Sequence, residues 1–272
     1  MTFPWLKGHG TLNDFVLLPD HDGQRHGELS PELVAALCER RAGIGADGII
    51  RVIRSAALGL PSEGEWFMDY RNADGSVSEM CGNGIRVLAR HLIDEQLVPD
   101  APFVIGTRDG DKHVTPLPDG EVSVDMGRGE VRGFSKVRAG DHVWEAHDVR
   151  TGNPHAVVFV DDLDQAGPLL EAPEHDAETY PDGVNVEFVR RVGPAHVAMR
   201  VHERGSGETL SCGTGACAVG LTAARLDGVE RPATYRVDVP GGILHVTWRD
   251  DDGLVLTGPA VIVARGDMEW MA

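Results

Sequence analysis

Cys81 and Cys212 stand in near-copies of one short phrase, Met80-Cys81-Gly82-Asn83-Gly84 and Ser211-Cys212-Gly213-Thr214-Gly215. Each phrase opens a segment that reads as a helix. A free thiol titrates near pH ~8.5, and a helix N-terminus favours its thiolate through unpaired N–H groups and the positive end of the dipole. Those N–H groups also form an anion site. Glycines after each cysteine let the backbone come close to a ligand. Two such helix ends facing each other would grip one carboxylate, with its α-carbon between the two sulfurs. A thiolate on one side removes the α-proton, and a thiol on the other returns one with inverted configuration. The N–H groups meet the charge that develops on the carboxylate.

Removing an α-proton from an amino acid is hard without a group that withdraws charge. A pyridoxal enzyme needs a lysine, and the only three, Lys7, Lys112 and Lys136, have no motif around them. No histidine or cysteine pair has zinc-site spacing. The expectation is an enzyme with no cofactor and no metal. Gly43-Ile44-Gly45-Ala46-Asp47-Gly48 matches a dinucleotide fingerprint in letters only. The fingerprint needs a strand before it and a helix after it, and here the order is inverted.

The elements that must carry these groups are short. Ser30-Pro31-Glu32 reads as an N-cap, a proline at the first helical position and an early acid, opening a helix to about Ala42. A second helix follows Cys81, with Ile85, Leu88, Leu92 and Ile93 at helical spacing. A third follows Cys212 and is apolar nearly all round, which predicts burial on most sides. Cys38 and Cys217 lie in apolar helical runs and read as core thiols. Strand-like runs include residues 14–18, 48–53, 66–70, 122–126, 155–160, 184–189, 197–201, 235–239 and 261–264.

Their order repeats. Asn13-Asp14-Phe15 starts a strand early, and Asn153-Pro154-His155 starts one later. The strand led by Gly48 is matched by Gly183-Val184-Asn185-Val186-Glu187. Asn72 lies nine residues before Cys81, and Glu203 nine before Cys212. The pattern predicts a diverged duplication with one cysteine per half. The halves are expected at 1–126, joined by 260–272, and at 127–259.

The chain has 272 residues, 42% of them hydrophobic and 25% charged, which suits one large domain or two smaller ones. A formal net charge of −18 repels phosphate backbones and disfavours nucleic acid. Four cysteines are too few for a disulfide scaffold at this length. No apolar run approaches the ~20 residues that span a bilayer. Residues 1–15 lack a basic segment followed by an apolar run. The expected address is the cytoplasm, with no membrane partner.

These phrases resemble the diaminopimelate epimerases, pyridoxal-independent enzymes that interconvert LL- and meso-diaminopimelate. The resemblance runs from Asn13-Asp14-Phe15 to Gly258-Pro259 and takes in Asn72-Ala73-Asp74-Gly75-Ser76, Gly152-Asn153-Pro154-His155, Asn185-Val186 and Glu203-Arg204. It implies an α/β (α+β) fold of two pseudo-symmetric domains, each a curled, mostly antiparallel sheet around a central helix, with the active site in the cleft between them. It implies that Cys81 and Cys212 are the acid and base. It implies that Gly82, Asn83, Gly213 and Thr214 bind the reacting carboxylate. Asn13, Asn72, Asn153, Asn185, Glu203 and Arg204 would hold the rest of the substrate, with His155 and Glu203 tuning the thiols. A diamino diacid needs a cation for its distal carboxylate, which Arg204 supplies, and acceptors for its ammonium groups, which Glu203 and the asparagines supply.

Two positions depart from the pattern. Some members have glutamine where this chain has Gly48, which puts one substrate contact in doubt. Some have a tyrosine implicated in dimer contacts where this chain has Ala264, which weakens the implied homodimer. The rival readings are a related two-thiol proline or hydroxyproline racemase, which shares the Met-Cys-Gly and Cys-Gly-Thr-Gly phrases, and a non-enzymatic binding or thiol redox protein.

Overall fold

The computed structural model describes residues 2–269. Met1 and residues 270–272, which fall within the expected first half, lie outside the described residues. The chain divides into two compact units. One holds the residues up to Val124 together with those from Pro259 onward, and the other is Asp125–Gly258.

The first unit contains β1 (Thr2–Gly10), β2 (Asn13–Pro19), α1 (Pro31–Cys38), β3 (Gly48–Arg54), α2 (Ser55–Leu58), β4 (Trp66–Asn72), α3 (Gly82–Asp94), β5 (Phe103–Thr107) and β6 (Gly110–Pro116). The strand β7 (Val122–Arg128) pairs with β6 through its first residues. The C-terminal strand Val261–Glu269 pairs antiparallel with β1, Thr2 opposite Glu269. From that strand the sheet runs through β1, β2, β3, β4, β5, β6 and β7. Its neighbours are antiparallel except β2 with β3 and β4 with β5.

The second unit contains β8 (Glu130–Ala139), β9 (His142–Thr151), β10 (Asn153–Phe159), the short β11 (Glu174–His175), β12 (Asn185–Gly193), β13 (His196–Glu203), the short β14 (Gly207–Thr209), α4 (Gly213–Asp227), β15 (Ala233–Val239), β16 (Gly242–Trp248) and β17 (Gly253–Gly258). Its main ladder runs β8, β9, β10, β12, β13, β15, β16, β17, with only β10–β12 and β13–β15 parallel. The sequence of parallel and antiparallel neighbours is therefore the same in the two sheets, with Val261–Glu269 standing in the first where β8 stands in the second. The fold is mixed α/β, mostly strand, with one long helix per repeat.

Each sheet wraps its helix because the helix is apolar and small where it touches strands. In the second unit, α4 packs against β9, β10, β12, β13, β15, β16 and β17. A Cβ on Gly220 would lie 2.7 Å from Val246 Cβ, so the α4 backbone rests directly on β16. In the first unit, a Cβ on Gly8 would lie 2.8 Å from Val87 Cγ1, so β1 closes equally tightly on α3. Ile85, Val87, Leu88 and Leu92 of α3 are fully buried. The outer side of the first sheet is covered by α1, over a core that includes Phe3, Val16, Leu18, Val34 and Leu37.

Helix α1 ends at Cys38 rather than near Ala42. Glu39 turns extended, and its carboxylate accepts from the backbone N–H groups of Arg41 and Ala42, which satisfies donors a longer helix would have used. The carbonyl of Leu37 then accepts from Ile44 and Gly45 as the chain turns back. Pro4, Gly8 and Gly10 hide β1 from a reading by propensity. It exists because β2 and the C-terminal strand pair with it on either side.

Candidate active site

Both cysteines are helix N-caps. Cys81 has extended backbone, and its Sγ accepts from Gly84 N–H at 3.4 Å in the first turn of α3. Cys212 has the same conformation, and its Sγ accepts from Gly215 N–H at 3.4 Å in the first turn of α4. A cap residue uses its side chain for one of the four orphan donors of a helix start. Here that side chain is a thiol, held to the positive end of the helix. All four cysteines are free thiols. Cys38 and Cys217 are buried, and burial next to Asp14 and Asp47 pushes the Cys38 thiol up to about 12, which keeps it inert.

Around Cys81 the first turn is braced by buried polar groups. Asn13 opens β2, donates from its amide to Asp47 Oδ2 at 2.7 Å, and accepts from Asn83 Nδ2 at 3.1 Å. Its Oδ1 also lies 3.9 Å from Cys81 Sγ. Arg86, one turn into α3 and fully buried, donates to Gly82 O and to Asn83 Oδ1, each at 2.9 Å. Asn72 closes β4 and donates to Ser76 Oγ at 2.9 Å, within the turn that leads toward Cys81. Gly48 has no room for a side chain, because a Cβ there would lie 2.6 Å from both Arg71 O and Tyr70 Cε2.

Around Cys212 the partners are different. Thr214 Oγ1 lies 3.5 Å from its sulfur, and the Thr214 carbonyl accepts from Thr151 Oγ1 at 2.9 Å. His155 and Glu187 are fully buried and share a hydrogen bond of 2.7 Å between Nδ1 and Oε1. Asn185 opens β12, and its side-chain carbonyl accepts from the backbone N–H of Arg204 at 2.8 Å. The Arg204 guanidinium donates to Asp182 O at 3.1 Å. Thr209 Oγ1 donates to Glu203. Asn153 opens β10 at the place Asn13 holds in β2, and its amide has no hydrogen-bond partner among the described residues.

The helix-end argument alone gives the wrong sign for Cys212. Burial raises its pKa well above the ordinary thiol value, and the Glu203 and Glu187 carboxylates raise it further. The Thr214 hydroxyl and the Gly215 N–H pull it down by less. Cys212 is nearly closed to solvent, at 5% exposure, so desolvation exceeds the dipole. Burial likewise pushes the Glu187 carboxyl up against the hydrogen bond from His155.

Thus the second unit brings Asn185, Glu203 and Arg204 to one strand end, and the first brings Asn13, Gly82 and Asn83 to another. Asp47, Arg86, Thr151 and Glu187 are further polar residues at these helix starts that the motifs did not single out. Glu187 was legible in one respect: alternation along β12 puts it on the face of Asn185. Among the described residues, no group of three or more His, Cys, Asp or Glu is placed to hold a metal. No helix among them is long and apolar enough to cross a membrane.

Comparison with known proteins is consistent along the whole chain. The family model described as diaminopimelate epimerase matches residues 5–131 and 148–263, one stretch in each repeat. A diaminopimelate epimerase of Streptomyces coelicolor is 55% identical over 98% of this chain and 96% of its own. One of Thermobifida fusca is 47% identical over 98% of each. Among solved structures, a hydroxyproline epimerase from Agrobacterium vitis aligns with a TM-score of 0.71 at 16% identity, over 98% of this chain and 92% of that one. A phenazine biosynthesis protein of the PhzF family from Bacillus anthracis aligns with a TM-score of 0.71 at 16% identity, over 99% of this chain and all of the other. Identity that low carries the fold alone, but the matches at about half identity carry more. The chain belongs to the diaminopimelate epimerase family and is an enzyme of the isomerase class.

Proposed function

We propose that this enzyme interconverts LL-2,6-diaminopimelate and meso-diaminopimelate without a cofactor, using Cys81 and Cys212 as a two-base pair in the supply of lysine and peptidoglycan precursors. The observation that carries the mechanism is the twice-made helix start: a cysteine N-cap with its sulfur 3.4 Å from the third N–H of the helix. One thiolate takes the α-proton and the other cysteine delivers a proton from its S–H. The first sulfur ends protonated and the second ends as thiolate, so protons balance. Backbone N–H groups of Gly82, Asn83, Gly213 and Thr214 hold the reacting carboxylate.

The residues that differ between the repeats select the substrate. Arg204, with its bidentate fork, suits the distal carboxylate. Glu203 and the amides of Asn13, Asn72, Asn153 and Asn185 suit the ammonium groups. A racemase of a cyclic imino acid has less use for Arg204 beside several amides.

The test is deuterium incorporation at the α-carbon from solvent during turnover of LL-diaminopimelate. Wild type should exchange, and Cys81→Ala and Cys212→Ala should each lose turnover. Full turnover in either variant contradicts the two-base pair, and exchange into proline but not diaminopimelate contradicts the substrate.

A further inference from the structure

The two helix starts differ in what lies beneath them. Strand pairing puts Phe15 opposite Gly48 in the first unit and His155 opposite Asn185 in the second. Two residues further along those partner strands stand Ile50 and Glu187. Gly84 and Gly215 occupy the same place in α3 and α4, three residues after each cysteine. A Cβ on Gly84 would meet Ile50 Cδ1 at 3.3 Å and Phe15 Cε1 at 3.5 Å. A Cβ on Gly215 would meet Glu187 Oε1 at 2.6 Å and Cys212 Sγ at 3.3 Å. Beneath Gly84 the Cys81 turn therefore meets apolar side chains, and beneath Gly215 the Cys212 turn meets a buried carboxyl that is hydrogen-bonded to an imidazole.

The carboxyl cannot swing away. Glu187 has no exposed surface, and Oε1 is tied to His155 Nδ1. Its Oε2 and the His155 Nε2 are buried with no hydrogen-bond partner among the described residues. An unpartnered buried oxygen makes extra negative charge nearby costly. The ionisable groups at Cys212 within its own unit are Glu203 from β13, Glu187 from β12 and, through Glu187, His155 from β10. The other strands packed on α4 turn apolar residues to it, among them Val149, Val237, Leu244 and Leu254. Tyr235 donates from its hydroxyl to Asp227 at the far end of the helix, where Arg191 of β12 donates to the same carboxylate. Thr151 touches only the Thr214 carbonyl at this end. At the Cys212 end, His155, hydrogen-bonded to Glu187, is the only group of this set that can carry positive charge.

We propose that Glu187, held by His155 beneath the first turn of α4, is a positioning residue that keeps Cys212 protonated in the free enzyme; the matching positions under the Cys81 turn are Ile50 and Phe15. The two thiols of the proposed mechanism are then unequal at rest. Cys212 waits as the proton donor, and the thiolate needed to begin a turnover is the one at Cys81. Glu187 touches no substrate in this role and acts through the thiol.

The role rests on the two-thiol reading, yet its test needs no turnover. Iodoacetamide alkylation of the full-length enzyme without substrate is followed against pH, and Cys81 and Cys212 are read separately by peptide mass spectrometry. The pH dependence reports thiolate formation even where access slows the rate. In wild type the Cys212 midpoint should lie above that of Cys81. Glu187→Gln removes the charge and keeps the shape, and should lower the Cys212 midpoint by about one pH unit or more. A double variant, His155→Phe with Glu187→Ile, copies the floor of the first unit and should shift the midpoint the same way if the single variant folds poorly. A wild-type Cys212 midpoint at or below that of Cys81, or one that neither folded variant moves, overturns the role of Glu187. Loss of the two-base reading would show separately, as epimerase turnover that survives Cys81→Ala or Cys212→Ala.

Discussion

Phe15 and His155 occupy the same register position in the two repeats, each on the strand that runs parallel to the one carrying Ile50 or Glu187. The duplicated frame has kept its backbone and exchanged an apolar pair for a titratable one beneath one of its two cysteines. A methyl group should therefore be tolerated differently at Gly84 and Gly215. At Gly84 it meets the flexible end of Ile50 at 3.3 Å, and alanine is the better helix former, so Gly84→Ala should be near neutral. At Gly215 it strikes the pinned Glu187 carboxyl at 2.6 Å, so Gly215→Ala should cost about 1–3 kcal/mol. Urea unfolding of the two variants checks this, and equal costs would mean that Glu187 yields.

Gly48 is the position where the family resemblance raises a glutamine as the alternative. Here the Tyr70 ring and the Arg71 carbonyl fill the space, each 2.6 Å from where a Cβ would be. The carbonyl belongs to the neighbouring strand β4 and cannot turn aside without breaking the ladder. Gly48→Gln should lower stability by about 1–3 kcal/mol, read as a lower thermal midpoint. A variant as stable as wild type would show that the Tyr70 ring moves out and the position is open.

The helix starts were legible because a cysteine followed by Gly-x-Gly leaves a local signature, and the repeat was legible because its motifs keep their order. What escaped was set by distant partners. Strand β1 carries Pro4, Gly8 and Gly10 and is a strand because Val261–Glu269 pairs with it. The sequence carries α1 to about Ala42 because Gly43 reads as a C-terminal stop, but the Glu39 carboxylate takes over the turn first. Glu187 sits in a run of valines and reads as an ordinary strand residue. Only the packing of α4 shows it under Cys212. The raised pKa of that thiol escaped for the same reason, since burial is a property of the assembled sheet.

Asp14 links stability to acid. Burial alone would raise its carboxyl, but hydrogen bonds from Arg40 and Lys7 outweigh this and hold it at about 2. A depressed folded value contributes stability above the ordinary carboxylate pKa of 3.8, and that stability is lost as pH falls through about 2. The side chain is 15% exposed, so solvent screening is modest. Asp14→Asn should cost about 2 kcal/mol at pH 7, and the gap to wild type should close on acidification toward pH ~2. Urea unfolding at both pH values measures it, and a gap that does not change with pH would place the effect in packing rather than charge.

Arg86 braces the Cys81 turn by hydrogen bonds. It is fully buried, and its guanidinium donates to Gly82 O and Asn83 Oδ1, each at 2.9 Å, while Asn83 in turn donates to Asn13. The equivalent place in α4 is Cys217, a core thiol, so this brace belongs to one repeat only. Arg86→Met keeps much of the volume but leaves two buried acceptors without these donors. Losing these charged hydrogen bonds in the buried turn should lower stability by about 1–3 kcal/mol, although Gly82 O keeps its helical N–H partner. Arg86→Lys should not restore it, because one ammonium on a flexible stem does not reproduce the planar fork. If Gly82 and Asn83 bind the reacting carboxylate as proposed, the folded fraction of Arg86→Met should also show a raised KM for LL-diaminopimelate. A stable variant with unchanged KM would mean that the first turn of α3 holds its shape without the arginine.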